Sequence, residues 1–348
     1  MNKTVGVGII GLQGYGRSYF KTLQARTDVH LLGVCDIDAL AVERCMAEFK
    51  VPRGFTDYRE MLRLPELDGV FVATPHFLHH GMVMDALGAG KHVFCEKPLA
   101  ISYEHAREMA QTAQMMGRVL TCHYNQRQTP YVKTMRQLVQ EGVIGTVYHA
   151  DLAWMARWTA FMFDARTNWR LSKKKSGGGI LIGRGSHLID AIWYILGRPK
   201  ITSVWAATSS RLTGYEVDDM ATVMLRLEGG ASVSIRCSYV ANTPEYQEKM
   251  TYEIFGDRGG IAYGQKDGEA GRVTVGGCQL PGKEWVDFGD RKETLRAEGG
   301  GPVSIIDDFI EAMVTGRSPC VTGEDAAFIT RLLEAAYTSS EAGREVAV

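Results

Sequence analysis

The sequence places two opposite charges directly after an apolar segment, where catalytic groups often lie. Residues 92–95 read as a short buried strand, and Glu96, Lys97 and Pro98 follow it. In an open parallel sheet, ligands bind just beyond the carboxyl ends of the strands. Lys97 is therefore predicted to face a ligand, and the alternative is a surface ion pair between Glu96 and Lys97 before a turn.

A glycine-rich segment near the N-terminus is typical of a dinucleotide-binding turn. An apolar run over residues 4–10 leads into this segment, and a helical pattern follows it. The turn residues are Gly11, Gln13, Gly14, Tyr15 and Gly16. Glycines there let backbone amides approach a pyrophosphate without obstruction by side chains. The common GxGxxG spacing is shifted, because position 13 is Gln and the glycine comes one residue later.

An acidic residue lies where such a domain would bind ribose. Asp36 ends a second apolar strand, 20 residues after Gly16, and an acid at this place can hold the adenosine ribose hydroxyls of NAD. The next residues, Ile37 and Asp38, provide no cation for a 2'-phosphate, so the sequence favours NAD over NADP. The alternative is that Asp36 only caps the following helix.

Apolar strands alternate with helices up to residue 123, which predicts a parallel sheet covered on both faces, an α/β doubly wound domain over residues 1–123. Thr74 and Pro75 follow one of these strands and reach the same sheet edge as Lys97. His76, His79 and His80 come next. No Cys or acidic residue lies at ligand spacing, so we predict no metal site and a place for these histidines in a cofactor loop.

Residues 124–348 are predicted to form a second domain, for substrate binding and oligomerisation. After a helix over residues 131–141, apolar residues at every second position become the dominant pattern from residue 146 onward. The clearest case is the hairpin formed by residues 220–227 and 231–239. This predicts an open, mainly antiparallel sheet with helices on one face, and a second subunit could cover the other. A loop over residues 156–176 combines tryptophans with cations and suits sugar binding, although its lysines could be solvated surface. Helices over 304–314 and 325–339 are expected to cover the sheet or clasp the first domain.

A buried helix over residues 180–196 carries a polar stripe. Its members are Gly183, His187, Asp190 and Tyr194, spaced by four, three and four residues. A lone histidine in such a helix is usually a hydrogen-bonded core residue. The presence of Lys97 in the other domain favours a catalytic role for His187 instead.

Composition excludes several functional classes. The 348 residues include 39 Lys and Arg against 40 Asp and Glu, which gives a formal net charge of -1 and no electrostatic case for nucleic acid or an anionic membrane. No apolar stretch approaches the roughly 20 residues of a membrane helix, and no signal peptide is recognised. Seven scattered cysteines give no disulfide framework, so a cytoplasmic location is expected.

Taken together, these residues resemble the glucose-fructose oxidoreductase and inositol dehydrogenase (Gfo/Idh/MocA) family of NAD(P)-dependent sugar and cyclitol oxidoreductases. The resemblance covers nearly the whole chain and implies a Rossmann domain, a second domain with an open antiparallel sheet, and a homodimer or homotetramer. It implies that Lys97 bonds the reacting hydroxyl and that His187 is the acid/base. It also adds Thr74, Pro75, His79, Glu96 and Asn125 to the cofactor site, and Arg127, Asp164, Trp169 and Arg170 to the substrate site.

One position departs from the family pattern, which often has an Asp four residues before the histidine. This chain has Gly183 there. Either Lys97 and His187 suffice for catalysis without this carboxylate, or another acid such as Asp190 or Asp164 takes its place, or the usual alcohol oxidation is altered or lost. The expected function is hydride transfer between nicotinamide and a secondary hydroxyl or ketone carbon of a sugar, sugar derivative or cyclitol. The alternatives are an NAD-cycling glycoside hydrolase or lyase and a catalytically altered, NAD-binding regulatory protein.

Overall fold

The computed structural model of the protein describes residues 4–157, 168–267, 271–277 and 304–348. The chain divides into two units. The first comprises Met1–Tyr124 and Pro302–Thr330, and the second comprises Asn125–Gly301 and Arg331–Val348.

A parallel sheet forms the centre of the first unit. Its strands are β1 (Val5–Ile10), β2 (Val29–Cys35), β3 (Gly54–Phe55), β4 (Gly69–Val72), β5 (His92–Cys95) and β6 (Leu120–Cys122). Among the described residues they lie in the order β3-β2-β1-β4-β5-β6, and each neighbouring pair is parallel. This order belongs to doubly wound nucleotide-binding folds, whose ligands bind where the order reverses, here between β1 and β4. The predicted α/β fold is confirmed.

Helices connect the strands of both units. In chain order they are α1 (Tyr19–Gln24), α2 (Ala39–Phe49), α3 (Tyr58–Leu62), α4 (His76–Gly88), α5 (Tyr103–Met115), α6 (Pro130–Gln140), α7 (Lys173–Ser176), α8 (Ser186–Ile195), α9 (Ile305–Thr315) and α10 (Gly323–Ala342). Short 3-10 turns lie at Tyr15–Ser18, Asn125–Gln128 and Trp169–Leu171. None of the helices in the described ranges is both long enough and apolar enough to cross a membrane.

An aromatic cluster fills the core beside β4 and β5. The rings of Phe71 on β4 and Phe94 on β5 have centroids 4.9 Å apart, and Phe309 of α9 packs edge-on against Phe71 at 5.4 Å. Tyr19 of α1 lies 5.4 Å from Phe71. All residues of β1 are buried, as expected for a strand covered on both faces. This packing fixes the strand ends that carry the candidate site.

The second unit is built on a larger sheet. Its strands are β7 (Val147–Ala156), β8 (Ile201–Ser209), β9 (Met220–Leu227), β10 (Ser232–Ser238), β11 (Glu248–Gly256), β12 (Gly259–Lys266), β13 (Arg272–Gly277) and β14 (Val346–Ala347). In the part of the chain that the structure describes, their order is β13-β12-β11-β7-β10-β9-β8-β14. The pair β7 and β10 is parallel, and the other neighbours are antiparallel. The predicted mainly antiparallel sheet is confirmed.

The two faces of this sheet differ in burial. One face carries buried apolar rows, such as Val204, Leu225 and Val233, which lie opposite one another on β8, β9 and β10. The opposite face mixes polar residues with half-exposed large side chains, among them Trp205 and its cross-strand partner Met224. Such alternation is typical of an antiparallel sheet with one face on the core.

The helix predicted over residues 180–196 is not regular. Residues Leu181–Gly185 form a π turn, and the α-helix α8 begins only at Ser186. A π turn accommodates one extra residue per hydrogen-bonded ring and often lies at a functional site. Strands β12 and β14 were not predicted, because glycines interrupt the apolar alternation of β12 and β14 is only two residues long.

Candidate active site

The glycine turn after β1 is closed by contacts that only glycine permits. Gly11 has a φ of +94°, and a Cβ there would lie 2.6 Å from the carbonyl oxygen of Ala73 after β4. A Cβ on Gly16 would overlap the carbonyl oxygen of Gly11. The tip of the turn is exposed, since Gln13, Gly14 and Tyr15 face solvent. The turn thus offers bare backbone at the switch point of the sheet, where a dinucleotide can approach closely.

Asp36, after β2, fastens this turn. Its Oδ2 accepts a hydrogen bond from the backbone N–H of Leu12 at 2.8 Å, and its Oδ1 accepts one from the side chain of Gln13 at 3.3 Å. The cap of helix α2 is Asp38 instead, whose Oδ1 accepts from the N–H of Leu40 at 3.0 Å. Capping of the next helix therefore does not explain Asp36, and its contact with a ribose stays a prediction.

His79 joins the loops that follow β4 and β5. Its ring is fully buried, with Nε2 2.9 Å from the carbonyl oxygen of Thr74 and Nδ1 2.9 Å from that of Pro98. Burial lowers the pKa of His79 below its usual value, although both carbonyls oppose this shift. A neutral imidazole has one N–H and donates to one of these carbonyls. His79 thus holds the Thr74–Pro75 segment against the loop that carries Lys97.

Glu96 is a buried carboxylate and not part of a surface pair. It is 7% exposed, and its Oε1 accepts hydrogen bonds from the Tyr19 hydroxyl and from Nδ1 of His123, the latter at 2.7 Å. Its Oε2 accepts from the backbone N–H of Lys97 at 3.2 Å. Lys97 itself is partly buried at the carboxyl end of β5. The alternative of a surface ion pair is therefore excluded, and the prediction that Lys97 faces a ligand stays a prediction.

The partners of Glu96 keep it ionised. Burial alone would raise the pKa of this carboxyl, but the charge of His123, the hydrogen bonds from His123 and Tyr19, and the charge of Lys97 lower it to about 2. A fixed negative charge therefore lies next to Lys97 at every physiological pH.

In the second unit, Asp218 fixes the start of the segment that carries His187. Its Oδ1 accepts from the N–H of Gly179 at 2.7 Å and its Oδ2 from that of Leu181 at 2.8 Å, while the Tyr337 hydroxyl donates to Oδ1 at 2.7 Å. A Cβ on Gly179 would overlap the backbone of Asp218. Close packing against Asp218 thus accounts for the glycine at position 179.

The π turn brings Gly183 against a tyrosine. A Cβ on Gly183 would overlap the hydroxyl oxygen of Tyr239, and the ring Cζ would lie 3.5 Å away. His187, four residues later, is 8% exposed in the first turn of α8. Tyr239 is buried and packs edge-on against Trp154 with centroids 5.7 Å apart.

Asp190 forms a buried ion pair with Arg127. Both side chains are fully buried, and Nη2 of Arg127 lies 2.6 Å from Oδ1 of Asp190. The guanidinium also lies 4.9 Å from the ring centroid of Tyr194. Asp190 of the polar stripe on α8 thus binds Arg127. A contact between Arg127 and a substrate stays a prediction.

The remaining predicted residues lie in short 3-10 turns or outside the described part of the chain. Trp169 and Arg170 lie in one 3-10 turn, where the guanidinium carbon is 4.5 Å from the Trp169 ring centroid. Asn125 is exposed at the start of another such turn. Asp164 lies outside the described residues. The lysines 173–175 are exposed, as the surface interpretation expects.

Among the histidines after β4, His80 contacts side chains of α5. The Nε2 of His80 lies 2.7 Å from Glu108, and its ring stacks on His105 at 4.0 Å. Across the ranges that the structure describes, no group of three or more His, Cys, Asp or Glu residues is arranged to hold a metal ion.

Three polar residues of the site were not predicted from the sequence. Tyr19 and His123 join Glu96 only through tertiary packing, although His123 follows β6 and could have been identified from its place at the strand end. Tyr239 continues the apolar alternation of β10, a pattern that indicates a core position and not a functional one.

Similarity to known proteins covers both units. A model of oxidoreductases with an NAD-binding Rossmann fold matches residues 5–124, and a model of the GFO/IDH/MocA C-terminal domain matches residues 132–262. Glucose-6-phosphate 3-dehydrogenase of Bacillus subtilis is 32% identical over 244 residues, which cover 67% of this chain and 68% of that protein. D-glucoside 3-dehydrogenase of Escherichia coli is 28% identical over 353 residues, which cover 94% and 92%.

One solved structure is similar to this protein over the full length of the chain. The crystal structure of GenD2 from gentamicin A biosynthesis, in complex with NAD, has a TM-score of 0.82 and 28% identity, and the match covers 100% of this chain and 97% of that one. The strand order of the first unit, its glycine turn and the matches to both family models indicate the same family. The chain belongs to the GFO/IDH/MocA family of oxidoreductases and carries its NAD-binding Rossmann fold.

Proposed function

We propose that this protein is an NAD-dependent dehydrogenase or reductase that acts on a secondary hydroxyl or ketone carbon of a sugar, sugar derivative or cyclitol. The observation that carries the proposal is Lys97 at the carboxyl end of β5, beside the ionised and buried Glu96. When bound, NAD supplies a ring carbon that accepts or releases a hydride. The protein must hold the substrate carbon against that ring and move one proton.

The first unit has a surface that fits NAD. Gly11 and Gly16 leave backbone uncovered where a Cβ would otherwise fill the space, and this suits a pyrophosphate. The carboxylate of Asp36 suits ribose hydroxyls as an acceptor and repels a 2'-phosphate, which supports NAD over NADP. We assign Thr74 and Pro75 to the same cofactor surface, His79 as the buried residue that holds them in place, and Asn125 as a further contact.

Lys97 and His187 divide the proton chemistry in this proposal. Lys97 donates a hydrogen bond to the reacting hydroxyl and stabilises negative charge that develops on its oxygen. His187 takes the hydroxyl proton during oxidation and returns it during reduction. Glu96 holds the segment of Lys97 through the backbone N–H, which keeps the lysine in one position.

Two observations support a carbohydrate substrate: the names of the relatives and the side chains of Trp169 and Arg170. The two relatives described above are named for oxidation of a glucoside and of a glucose phosphate. Trp169 offers a flat apolar face, and Arg170 offers forked donors, which together suit a sugar ring and its hydroxyls. We propose that the second unit binds this substrate.

Replacement of Lys97 tests the function. Lys97→Met should lower kcat by about 10³-fold or more, because the methionine cannot donate to the reacting oxygen. NAD binding, followed by the change in protein fluorescence, should be largely unchanged. Lys200→Met is the matched control, since Lys200 forms an exposed ion pair with Glu228 on the second unit. Turnover of Lys97→Met near the wild-type rate would reject the assignment.

A substrate panel separates the alternatives. Sugars, inositols, uronates and sugar phosphates would be incubated with NAD, and NADH absorbance would report oxidation. Release of an aglycone without accumulation of NADH identifies a cycle of oxidation, elimination or hydrolysis, and re-reduction. Binding of NAD with no turnover across the panel identifies a regulatory protein instead.

We also propose that the protein is a homodimer or homotetramer assembled through the second sheet. The face with Trp205, Met220 and Met224 supports this, because these large apolar side chains are 38%, 41% and 42% exposed. A neighbouring copy would cover them.

A further inference from the structure

We propose that Tyr239 is the positioning residue for His187. Its hydroxyl occupies the space that a side chain at position 183 would otherwise fill, and from there it orients the imidazole. The inference rests on the proposed role of His187 in proton transfer. A histidine that moves a proton needs a neighbouring group that holds its ring in one orientation.

The space around Gly183 is taken by Tyr239. The hydroxyl oxygen of Tyr239 lies where the Cβ of any other residue at 183 would be, so the glycine and the tyrosine are complementary. The phenol comes from the residue directly after β10, and the π turn packs on that strand, where Sγ of Cys237 lies 3.4 Å from a Cβ position at Gly185. The strand therefore delivers the hydroxyl to the backbone of the turn.

This hydroxyl lies on the side of the helix toward which His187 leans. Side chains on a helix tilt toward its N-terminus, so each covers the turn that precedes its own Cα. Gly183 precedes His187 by four residues, which is about one turn and therefore on the same face. Because position 183 has no side chain, none separates the phenol from this face of the helix.

The nearby carboxylates are committed to other partners. Asp190 pairs with the guanidinium of Arg127, and both are fully buried. Asp218 accepts hydrogen bonds from two backbone amides and from the Tyr337 hydroxyl. Tyr239, by contrast, places its hydroxyl against the turn before His187.

The surroundings keep the phenol protonated. Burial raises the pKa of Tyr239 well above its usual range, and the charges of Arg184 and Arg170 reduce this shift, whereas Cys237 and Asp218 add to it. Arg184 lies over the Trp154 ring, 4.7 Å from its centroid, and Tyr239 packs on the same tryptophan. A neutral hydroxyl can donate one hydrogen bond and accept others, so it can serve both forms of the imidazole.

Removal of the hydroxyl alone tests the role of Tyr239. Tyr239→Phe keeps the ring against Trp154 and should lower kcat by about 10- to 100-fold, with the KM for NAD and the thermal midpoint near wild type. The apparent pKa read from the pH dependence of kcat should move as well. Tyr148→Phe, at an exposed position of β7, is the matched control. Wild-type kcat and pH profile in Tyr239→Phe would overturn the proposal.

A second pair of variants tests complementarity at position 183. Gly183→Asp in the wild-type background should fail to fold or lose activity, because its Cβ overlaps the hydroxyl. With Tyr239→Phe, the nearest ring atom is Cζ at 3.5 Å, an ordinary contact, so the aspartate fits and supplies a new polar group. The double variant should be at least about tenfold more active than Tyr239→Phe alone. A well-folded double variant no more active than Tyr239→Phe counts against the inference.

A titration that needs no turnover separates this inference from the proposed function. Histidine ring signals would be followed by NMR over pH in the full-length wild type and in Tyr239→Phe, with His187→Gln to assign the His187 signal. We expect the pKa of His187 to differ between the two proteins. Identical titration overturns the role of Tyr239, whatever the activity. A changed titration without turnover on the panel upholds this role and rejects the dehydrogenase.

Discussion

Glu96 holds the backbone of the neighbouring Lys97 in place at the end of β5. A buried carboxylate is costly unless hydrogen bonds and opposite charges compensate for the lost water. Tyr19, His123 and the N–H of Lys97 supply that compensation. Glu96 therefore acts as a fixed anion that anchors the loop after β5.

The pKa of Glu96 predicts a pH-dependent loss of stability. Its value of about 2 in the folded protein lies below the usual 4.5, so the stabilisation is complete above about pH 5 and is lost as the pH falls toward 2. The difference corresponds to on the order of 3 kcal/mol. Glu96→Gln should therefore unfold in urea more easily than wild type at pH 7, and this gap should narrow at pH 3.

The control for this prediction is Glu108→Gln. Glu108 contacts His80, but its side chain is 52% exposed, so its removal should change the free energy of unfolding by less than about 1 kcal/mol. A gap between wild type and Glu96→Gln that stays constant from pH 7 to pH 3 would contradict the assigned ionisation.

Residues of the site differ in how well the sequence predicts them. Lys97 and Asp36 could be identified because each follows a recognisable strand. Tyr19 lies in a helix far along the chain from Glu96, and only the packing of α1 beside β5 brings its hydroxyl to that carboxylate. Tyr239 was hidden because a buried tyrosine on an alternating strand looks like core.

The element that we propose to position NAD is the glycine turn between β1 and α1. Gly16→Ala should reduce NAD affinity by at least about tenfold, because its Cβ overlaps the Gly11 carbonyl and forces the turn to open. Gly81→Ala is the matched control, since Gly81 lies within α4 and a Cβ there meets nothing within 4 Å. It should leave NAD binding unchanged and stabilise the protein by about 0.5–1 kcal/mol. Calorimetric titration with NAD measures both affinities, and equal values for the two variants would contradict this account.

Element boundaries were predictable where one physical signal dominated. The parallel strands of the first unit are short, apolar and followed by turn residues, so β1, β4 and β5 could be identified directly. The segment over 180–196 has helical periodicity throughout, and that pattern cannot distinguish a π turn from a regular helix. Its contacts with Tyr239 and Cys237 are tertiary and have no local signal.

At the scale of the whole molecule, the alternation of burial predicts assembly. The outer face of the second sheet carries Trp205 opposite Met224 on neighbouring strands, with polar Ser234 next in the same row. A large apolar side chain such as Trp205 is uncommon on a sheet face that contacts only water, and it is typical of an interface. The sequence could predict one covered face from period two, but not which residues of the other face contact a partner, because that depends on strand order.

Replacement of Trp205 tests this assembly. Wild-type protein at about 10 μM should have at least twice the chain mass in multi-angle light scattering, whereas Trp205→Glu should weaken association by at least about tenfold, because it places a charge in an apolar contact. Met115→Glu is the control, since Met115 is 78% exposed at the end of α5 in the first unit and should leave the mass unchanged. A monomeric wild type, or equal masses for Trp205→Glu and wild type at every concentration, would show that this face is not the interface.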